Sequence, residues 1–213
     1  MKAIKLLSAL DIKDGLLITN ELKKDHQVFL KQGSADGACG PYALLMALIM
    51  LGLIDYKDAT NLWWIKRSSK FGKMITKMKE HDTLFHKGTN LNHLKELLEY
   101  GFKNTLELRV SEETGRNLIN FCMEELKQDK PIIIGVNGIN LAHWLLAVGY
   151  EENSVGVVCK LFFLDSSGYE NANYLNVVID IENTVYGRYA YPWVDSKEER
   201  NVSFEHGISL GLK

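Results

Sequence analysis

The sequence is poor in several features that mark common classes of protein. Only 3 prolines occur in 213 residues, so no proline-rich linker divides the chain. The 3 cysteines are odd in number and include no Cys-X-X-Cys pair, which argues against a disulfide framework and a zinc site and favours a reducing compartment. Basic and acidic residues nearly balance, 25 against 27, whereas nucleic-acid-binding proteins usually carry a basic excess. We therefore expect no nucleic-acid partner, no metal and no other cofactor.

Long hydrophobic runs are also missing. A membrane-spanning helix needs about 20 apolar residues, but the longest run, residues 41–54, has only 14 and suits a helix buried in a core. Residues 1–15 contain an apolar stretch too short for a signal peptide, and no small-residue cleavage site follows it. We therefore expect no membrane span and no signal peptide. The protein should be cytoplasmic, or be delivered into a target cell by a specialised secretion system.

The hydrophobic periodicity changes along the chain and predicts an α+β fold. Helical spacing dominates before residue 130, and alternation typical of a mostly antiparallel sheet follows. Residues 39–52 are apolar on every side of a helix, so this helix should lie in the middle of the core. We expect one domain over residues 31–213, preceded by an N-terminal extension, residues 1–30, that could pack on it. Predicted helices cover residues 39–52, 60–80, 91–100 and 112–128, and predicted strands cover 130–136, 142–150, 157–165, 174–181 and 186–193.

Cys39 is the cysteine best placed for chemistry. It opens the apolar helix, where unpaired backbone N–H groups and the helix dipole favour a thiolate. The small residues 33–38 before it leave room for a substrate backbone. Cys122 and Cys159 lie on apolar stripes and should be inert core residues, which is also the alternative interpretation of Cys39. Cys39 is therefore the candidate nucleophile.

The two strands after residue 140 supply a candidate base. If their hairpin turn centres on Ser154, His143 lies directly opposite Asp165, and the neighbouring pairs on both faces are apolar. An aspartate that accepts from one ring nitrogen leaves the other nitrogen free to serve a thiol. Gln32 and the backbone N–H of Cys39 are candidate donors to an oxyanion.

Two further groups of residues are expected to be solvated. Residues 66–79 contain six basic residues and no acidic one, which is typical of an exposed helix face, with a partner-binding surface as the alternative. The other histidines are expected at the surface without a carboxylate partner. They are His26, His81, His86, His93 and His206.

The motifs together resemble those of a known family. Gln32, the run Cys39-Gly-Pro-Tyr-Ala-Leu, the run Ala142-His-Trp-Leu and the run Phe163-Leu-Asp resemble the papain-like cysteine peptidases over about residues 30–170. The nearest branch is the bacterial double-glycine leader peptidases, which process bacteriocins, and their stand-alone relatives. The resemblance implies a papain-like fold whose buried helix opens at the nucleophile and packs on the sheet.

The resemblance also assigns roles. It implies that Cys39 is the nucleophile, His143 the base and acid, Asp165 the orienting residue and Gln32 the oxyanion donor. The sequence departs from the family pattern at two places. Gln32 stands seven residues before Cys39 rather than six, and Ser166 follows Asp165 where the relatives often have proline.

The family implies hydrolysis of a peptide bond through a thioester acyl-enzyme, often after small residues such as Gly-Gly. The partner would be a protein or peptide substrate. A processing peptidase and a bacterial toxin effector both fit, and an effector would have a cognate inhibitor, or immunity protein. The same residues also serve acyltransferases, transglutaminases and glutamine deamidases, and some relatives only bind a leader peptide. The sequence leaves these alternatives open.

Overall fold

The chain combines an antiparallel barrel with helices packed against it, so the predicted mixture of helix and sheet is confirmed. The computed structural model describes residues 2–14, 16–19, 25–33, 37–81, 88–168 and 175–213.

The helices within these ranges follow the predicted apolar spacing closely. The prediction of a helix over residues 60–80 is wrong for its first half: a 3-10 turn forms at Leu62–Trp64, and the α-helix runs only from Lys70 to Glu80. No described helix is both long and apolar enough to cross a membrane. The helices are α1 (Cys39–Met50), α2 (Tyr56–Thr60), α3 (Lys70–Glu80), α4 (Leu91–Phe102) and α5 (Gly115–Lys127).

The strands of the predicted mostly antiparallel sheet close into a ring. The ring order is β7, β6, β11, β10, β9, β8 and back to β7, and every neighbouring pair is antiparallel. Strand β1 adds to β7, β5 adds to β11, and β2 to β4 form a separate sheet. The strands are β1 (Ala3–Leu6), β2 (Asp11–Lys13), β3 (Leu16–Thr19), β4 (His26–Gln27), β5 (Leu106–Ser111), β6 (Ile132–Gly138), β7 (Leu141–Glu152), β8 (Val158–Leu164), β9 (Val177–Asp180), β10 (Tyr191–Asp195) and β11 (Glu199–Leu212).

Strand β11 makes the closure possible. It spans 14 residues and pairs with β10, β6 and β5 along its length, with a bulge between Phe204 and His206. The sequence pattern did not predict β11. The strand predicted over residues 186–193 is observed at Tyr191–Asp195, as β10. The predicted strand over residues 174–181 begins outside the described residues and is observed as β9.

Helix α1 is buried on all sides, as its composition predicts. Every residue of α1 except Tyr42 is buried, and the helix packs against β6 and β7. At Gly40, a Cβ atom would lie 3.0 Å from Cβ of Thr89 and 3.1 Å from Cδ1 of Trp144. Glycine therefore allows the first turn of α1 to approach both the start of α4 and strand β7.

The N-terminal residues share this core. Strand β1 pairs with β7 from Ala3 opposite Glu152 to Leu6 opposite Gly149. Leu17 and Val28 are fully buried in the same cluster as α1. The segment predicted as an extension thus supplies one strand of the main sheet, and the domain boundary near residue 30 stays a prediction.

A buried carboxylate ties α5 to the barrel and gives a stability prediction. Glu125 is fully buried, and Arg109 and the hydroxyl of Ser209, 2.5 Å from Oε2, bind its carboxylate. We expect Glu125→Ala to lower the free energy of unfolding by about 2 kcal/mol or more, because the buried hydroxyl of Ser209 loses its acceptor and a void is left in the interior. Urea denaturation measures this.

The neighbouring Glu124→Ala is a matched control. Glu124 is 56% exposed and pairs with the same Arg109 at 3.1 Å. Its removal should cost less than about 1 kcal/mol, since exposed ion pairs contribute little. Equal losses in the two variants would contradict the assigned role of burial.

Candidate active site

Cys39 begins α1, and its sulfur interacts with the imidazole of His143, which lowers the pKa of the thiol. Ala38 precedes the helix and has no side-chain group that could cap it, so the first backbone N–H groups can serve other acceptors. The backbone N–H groups of Gly40 and Trp144 also lower the pKa of the thiol. Residues 34–36 of the small-residue loop before Cys39 lie outside the described part of the chain. The helix start therefore presents the sulfur to an imidazole and to two backbone donors.

The imidazole of His143 also contacts a carboxylate. Its Nε2 lies 2.6 Å from Oδ1 of Asp165, and Asp165 is only 4% exposed. Because Asp165 occupies Nε2, the Nδ1 atom is the ring nitrogen that serves Cys39. The indole of Trp193 packs beside the imidazole, with ring centroids 6.4 Å apart. The imidazole of His143 thus interacts with both the sulfur of Cys39 and the carboxylate of Asp165, and all three groups are largely buried.

The predicted hairpin register is wrong, although the predicted contact exists. Leu146 lies opposite Leu164. Asp165, the next residue after β8, therefore lies toward Leu145 and not directly opposite His143. At this end of the hairpin the register is displaced by two residues, and an even displacement keeps each side chain on the same face. His143 therefore reaches Asp165 as a diagonal neighbour, a separation that long side chains can span.

A turn after β8 holds Asp165 in place. The side chain of Asn176 binds both the backbone N–H and the carbonyl of Asp165, each at 2.7 Å. The backbone N–H and the hydroxyl of Ser167 donate to Oδ1 of the same residue, both at 2.8 Å. A Cβ atom at Gly168 would collide with the Asn176 amide. Asn176 was not predicted as a site residue, because nothing in the local sequence around it indicates that its side chain binds Asp165.

The environment favours a charged pair. Burial raises the pKa of the Cys39 thiol, but the hydrogen bond and charge of His143 and the two backbone donors outweigh it, so the pKa lies below the ordinary 9.0. Burial lowers the pKa of His143, but the opposite effect of Asp165 and Cys39 is larger and raises the pKa from 6.5 to about 10. For Asp165, His143 and Ser167 overcome burial and lower the pKa below 3.8. All three shifts favour the charged forms, a thiolate, an imidazolium and a carboxylate, over the neutral ones.

Gln32 lies on the same cavity as Cys39 and His143. Its backbone N–H donates to the carbonyl of Ser166 at 2.9 Å, and its Oε1 accepts from the Ser166 hydroxyl at 2.7 Å. The structure thus brings all four residues singled out in the sequence to one place.

The cavity beside these residues has a volume of about 590 Å³, within the usual range of ligand-binding clefts. One wall comes from the end of α3 and the start of α4, and the other from the barrel. The indole Nε1 of Trp144 donates to the carbonyl of Thr89 at 2.6 Å and joins the two walls. Trp144 directly follows His143, so the same strand segment supplies the imidazole and part of the cavity wall.

The expected surface position is wrong for His26, which is buried, and the expected lack of a carboxylate partner is wrong for His26 and His81. His81 and His93 stack with ring centroids 5.0 Å apart and, together with His206, line the cavity. His81 also has a carboxylate partner, Glu96, at 3.1 Å, and the buried His26 lies 3.5 Å from Asp55. Residue 86 lies outside the described residues. Their scattered sequence positions hide this grouping, which depends on how α3, α4 and β11 converge.

Part of the basic stretch makes local contacts. Lys77 pairs with Glu96 at 3.1 Å and with Glu80 at 3.3 Å, and Lys70 binds the hydroxyl of Thr105 at 2.5 Å.

Within the described residues, no three histidine, cysteine or acidic side chains are arranged to hold a metal ion.

No known protein family matches the chain by its sequence, and no curated protein does. Among solved structures, the chain is similar to one titled "Crystal structure of UfSP from C.elegans", with a TM-score of 0.49 and 12% sequence identity. The match covers 99% of this chain and 34% of that chain, so this chain spans about a third of that length.

We expect iodoacetamide to modify Cys39 much faster than Cys122 or Cys159 in the native protein at pH 7. The thiolate is the reactive form, and burial raises the pKa of both other thiols while that of Cys39 is lowered. Mass spectrometry of peptides from briefly labelled protein measures the three rates.

His143→Ala is the control for this prediction. Without the imidazole, burial dominates and the thiol pKa should rise, so labelling of Cys39 at pH 7 should fall at least about tenfold. The labelling rate of Cys39 in His143→Ala should continue to rise with pH up to 9 and beyond, whereas the labelling rate in wild type should level off below pH 9. Equal labelling of all three native cysteines would exclude an activated thiolate.

Proposed function

We propose that this protein is a papain-like cysteine peptidase that hydrolyses a peptide bond of a protein substrate. The observation that carries the proposal is the His143 imidazole, whose Nε2 lies 2.6 Å from Oδ1 of Asp165 and whose pKa is raised by both Asp165 and Cys39. The adjoining cavity of about 590 Å³ could accept an extended segment of substrate.

The first half of the reaction forms an acyl-enzyme. The Cys39 thiolate attacks the scissile carbonyl carbon, and the electron pair of the C=O bond moves to oxygen to give a tetrahedral oxyanion. Gln32 and the backbone N–H of Cys39 are the proposed donors to that oxyanion. When the oxyanion collapses, the C–N bond breaks, and the His143 imidazolium gives its proton to the departing amine. A thioester on Cys39 remains.

The second half returns the free enzyme. The now neutral His143 takes a proton from water, and the resulting hydroxide attacks the thioester carbonyl. The C–S bond breaks, the acyl product leaves as a carboxylic acid, and the thiolate–imidazolium pair is restored. Asp165 keeps the ring in one orientation and stabilises its cationic form throughout.

The sequence resemblance suggests cleavage after small residues such as Gly-Gly, by a processing peptidase or a bacterial toxin effector. A survey of new protein N-termini tests this in cells that produce either wild type or Cys39→Ala. We expect defined new N-termini with wild type and none of them with Cys39→Ala. The control Cys159→Ala should give the same new N-termini as wild type, because Cys159 does not line the cavity.

The outcome also separates hydrolysis from acyl transfer. New acyl or isopeptide linkages without new N-termini would indicate a transferase that uses the same residues. Identical N-termini in wild type and Cys39→Ala would refute the peptidase assignment.

We further expect Asp165→Asn to impair turnover less than His143→Ala does. Loss of the imidazole removes the general base and acid, which contributes about 10²- to 10⁴-fold. In Asp165→Asn, the donors that converge on Oδ1 can orient the amide oxygen toward His143, so only the charge is lost, about tenfold. Steady-state kinetics measure both losses, and thermal unfolding checks that both variants are folded. The reverse ranking would contradict the role given to Asp165.

A further inference from the structure

The turn formed by residues 165–168 contacts two separate parts of the candidate site. Its first residue, Asp165, binds His143. Its second residue, Ser166, is 1% exposed and binds Gln32 through both backbone and side chain. Asn176 binds the backbone of Asp165, so the residue directly before Ser166 is also held in place.

The two bonds between Ser166 and Gln32 have different effects. The backbone bond, 2.9 Å long, fixes the chain at Gln32 but leaves its side chain three rotatable torsions. The hydroxyl bond, 2.7 Å long, holds Oε1 at the end of that side chain. Because Oε1 accepts from Ser166, the amide nitrogen is the donor that the side chain retains, and Gln32 lines the same cavity as Cys39.

We propose that Ser166 is a positioning residue that orients the Gln32 amide as a donor to the oxyanion. This inference rests on the proposed peptidase function. Oxyanion donors are effective because they are oriented before the reaction, so a glutamine free to rotate would donate poorly. One short turn thereby sets both the imidazole partner and the oxyanion donor.

The variant Ser166→Ala isolates the hydroxyl, because the backbone bond to Gln32 remains. The substrate probe is an acetyl-Gly-Gly amide of aminomethylcoumarin. We expect kcat to fall about tenfold in Ser166→Ala and about 10²-fold in Gln32→Ala, with KM changed less than twofold. The double variant should match Gln32→Ala alone, because a residue that acts through Gln32 has no effect once Gln32 is gone.

Two controls separate positioning from a general structural role. Ser111→Ala removes another buried hydroxyl, which accepts from the backbone of Glu113, and should leave kcat unchanged. Iodoacetamide labelling of Cys39 passes through no oxyanion, so its rate should be unchanged in Ser166→Ala. Additive losses in the double variant, or a parallel loss of labelling, would overturn the proposal.

A direct readout covers the case in which the probe is not hydrolysed. The side-chain amide of Gln32, assigned through its absence in Gln32→Ala, should be ordered in the wild type by ¹⁵N relaxation. It should become mobile in Ser166→Ala but not in Ser111→Ala. Unchanged order in Ser166→Ala would refute the positioning role, whereas a wild type with an ordered amide and no hydrolysis of any peptide would count against the peptidase alone.

Discussion

The candidate site depends on one imidazole held between a sulfur and a carboxylate. Burial alone would favour a neutral thiol, a neutral imidazole and a protonated carboxyl, because charged groups lose solvation in the interior. The contacts reverse each preference: the pKa of Cys39 falls, that of His143 rises and that of Asp165 falls. The three groups stabilise one another's charges, so the removal of any one should change the protonation of the others.

The fold assembles this cluster from three distant segments and holds each in a different way. Cys39 is fixed by a helix that is buried along its whole length. His143 lies on a strand of a closed barrel, and the next residue, Trp144, is hydrogen-bonded to the helical wall at Thr89. Asp165 follows the end of a strand and is held by the side chain of Asn176. Helix, strand and turn thus contribute one functional group each.

The sequence predicted the helices and the central strands because their apolar patterns are strong, and it identified the four residues that the structure brings together. The pattern could not give the hairpin register, because apolar residues pair with each other in both the predicted and the observed alignment of β7 and β8. It also missed β11, whose polar residues and bulge break the alternation. Two departures from the family pattern, the position of Gln32 and the serine at 166, lie in contact with each other, a link that only the folded chain reveals. Whether the cluster is catalytic stays a prediction.

The charge of His143 at neutral pH tests the account most directly. Titration of the ¹⁵N-labelled imidazole by NMR reports which nitrogens carry protons, in wild type and in Cys39→Ala. We predict that the wild-type ring stays an imidazolium well above pH 6.5, toward the pKa of about 10, and that this pKa drops when the sulfur is removed. A wild-type ring that is neutral at pH 7 and titrates identically in Cys39→Ala would contradict the ion pair on which the proposed chemistry rests.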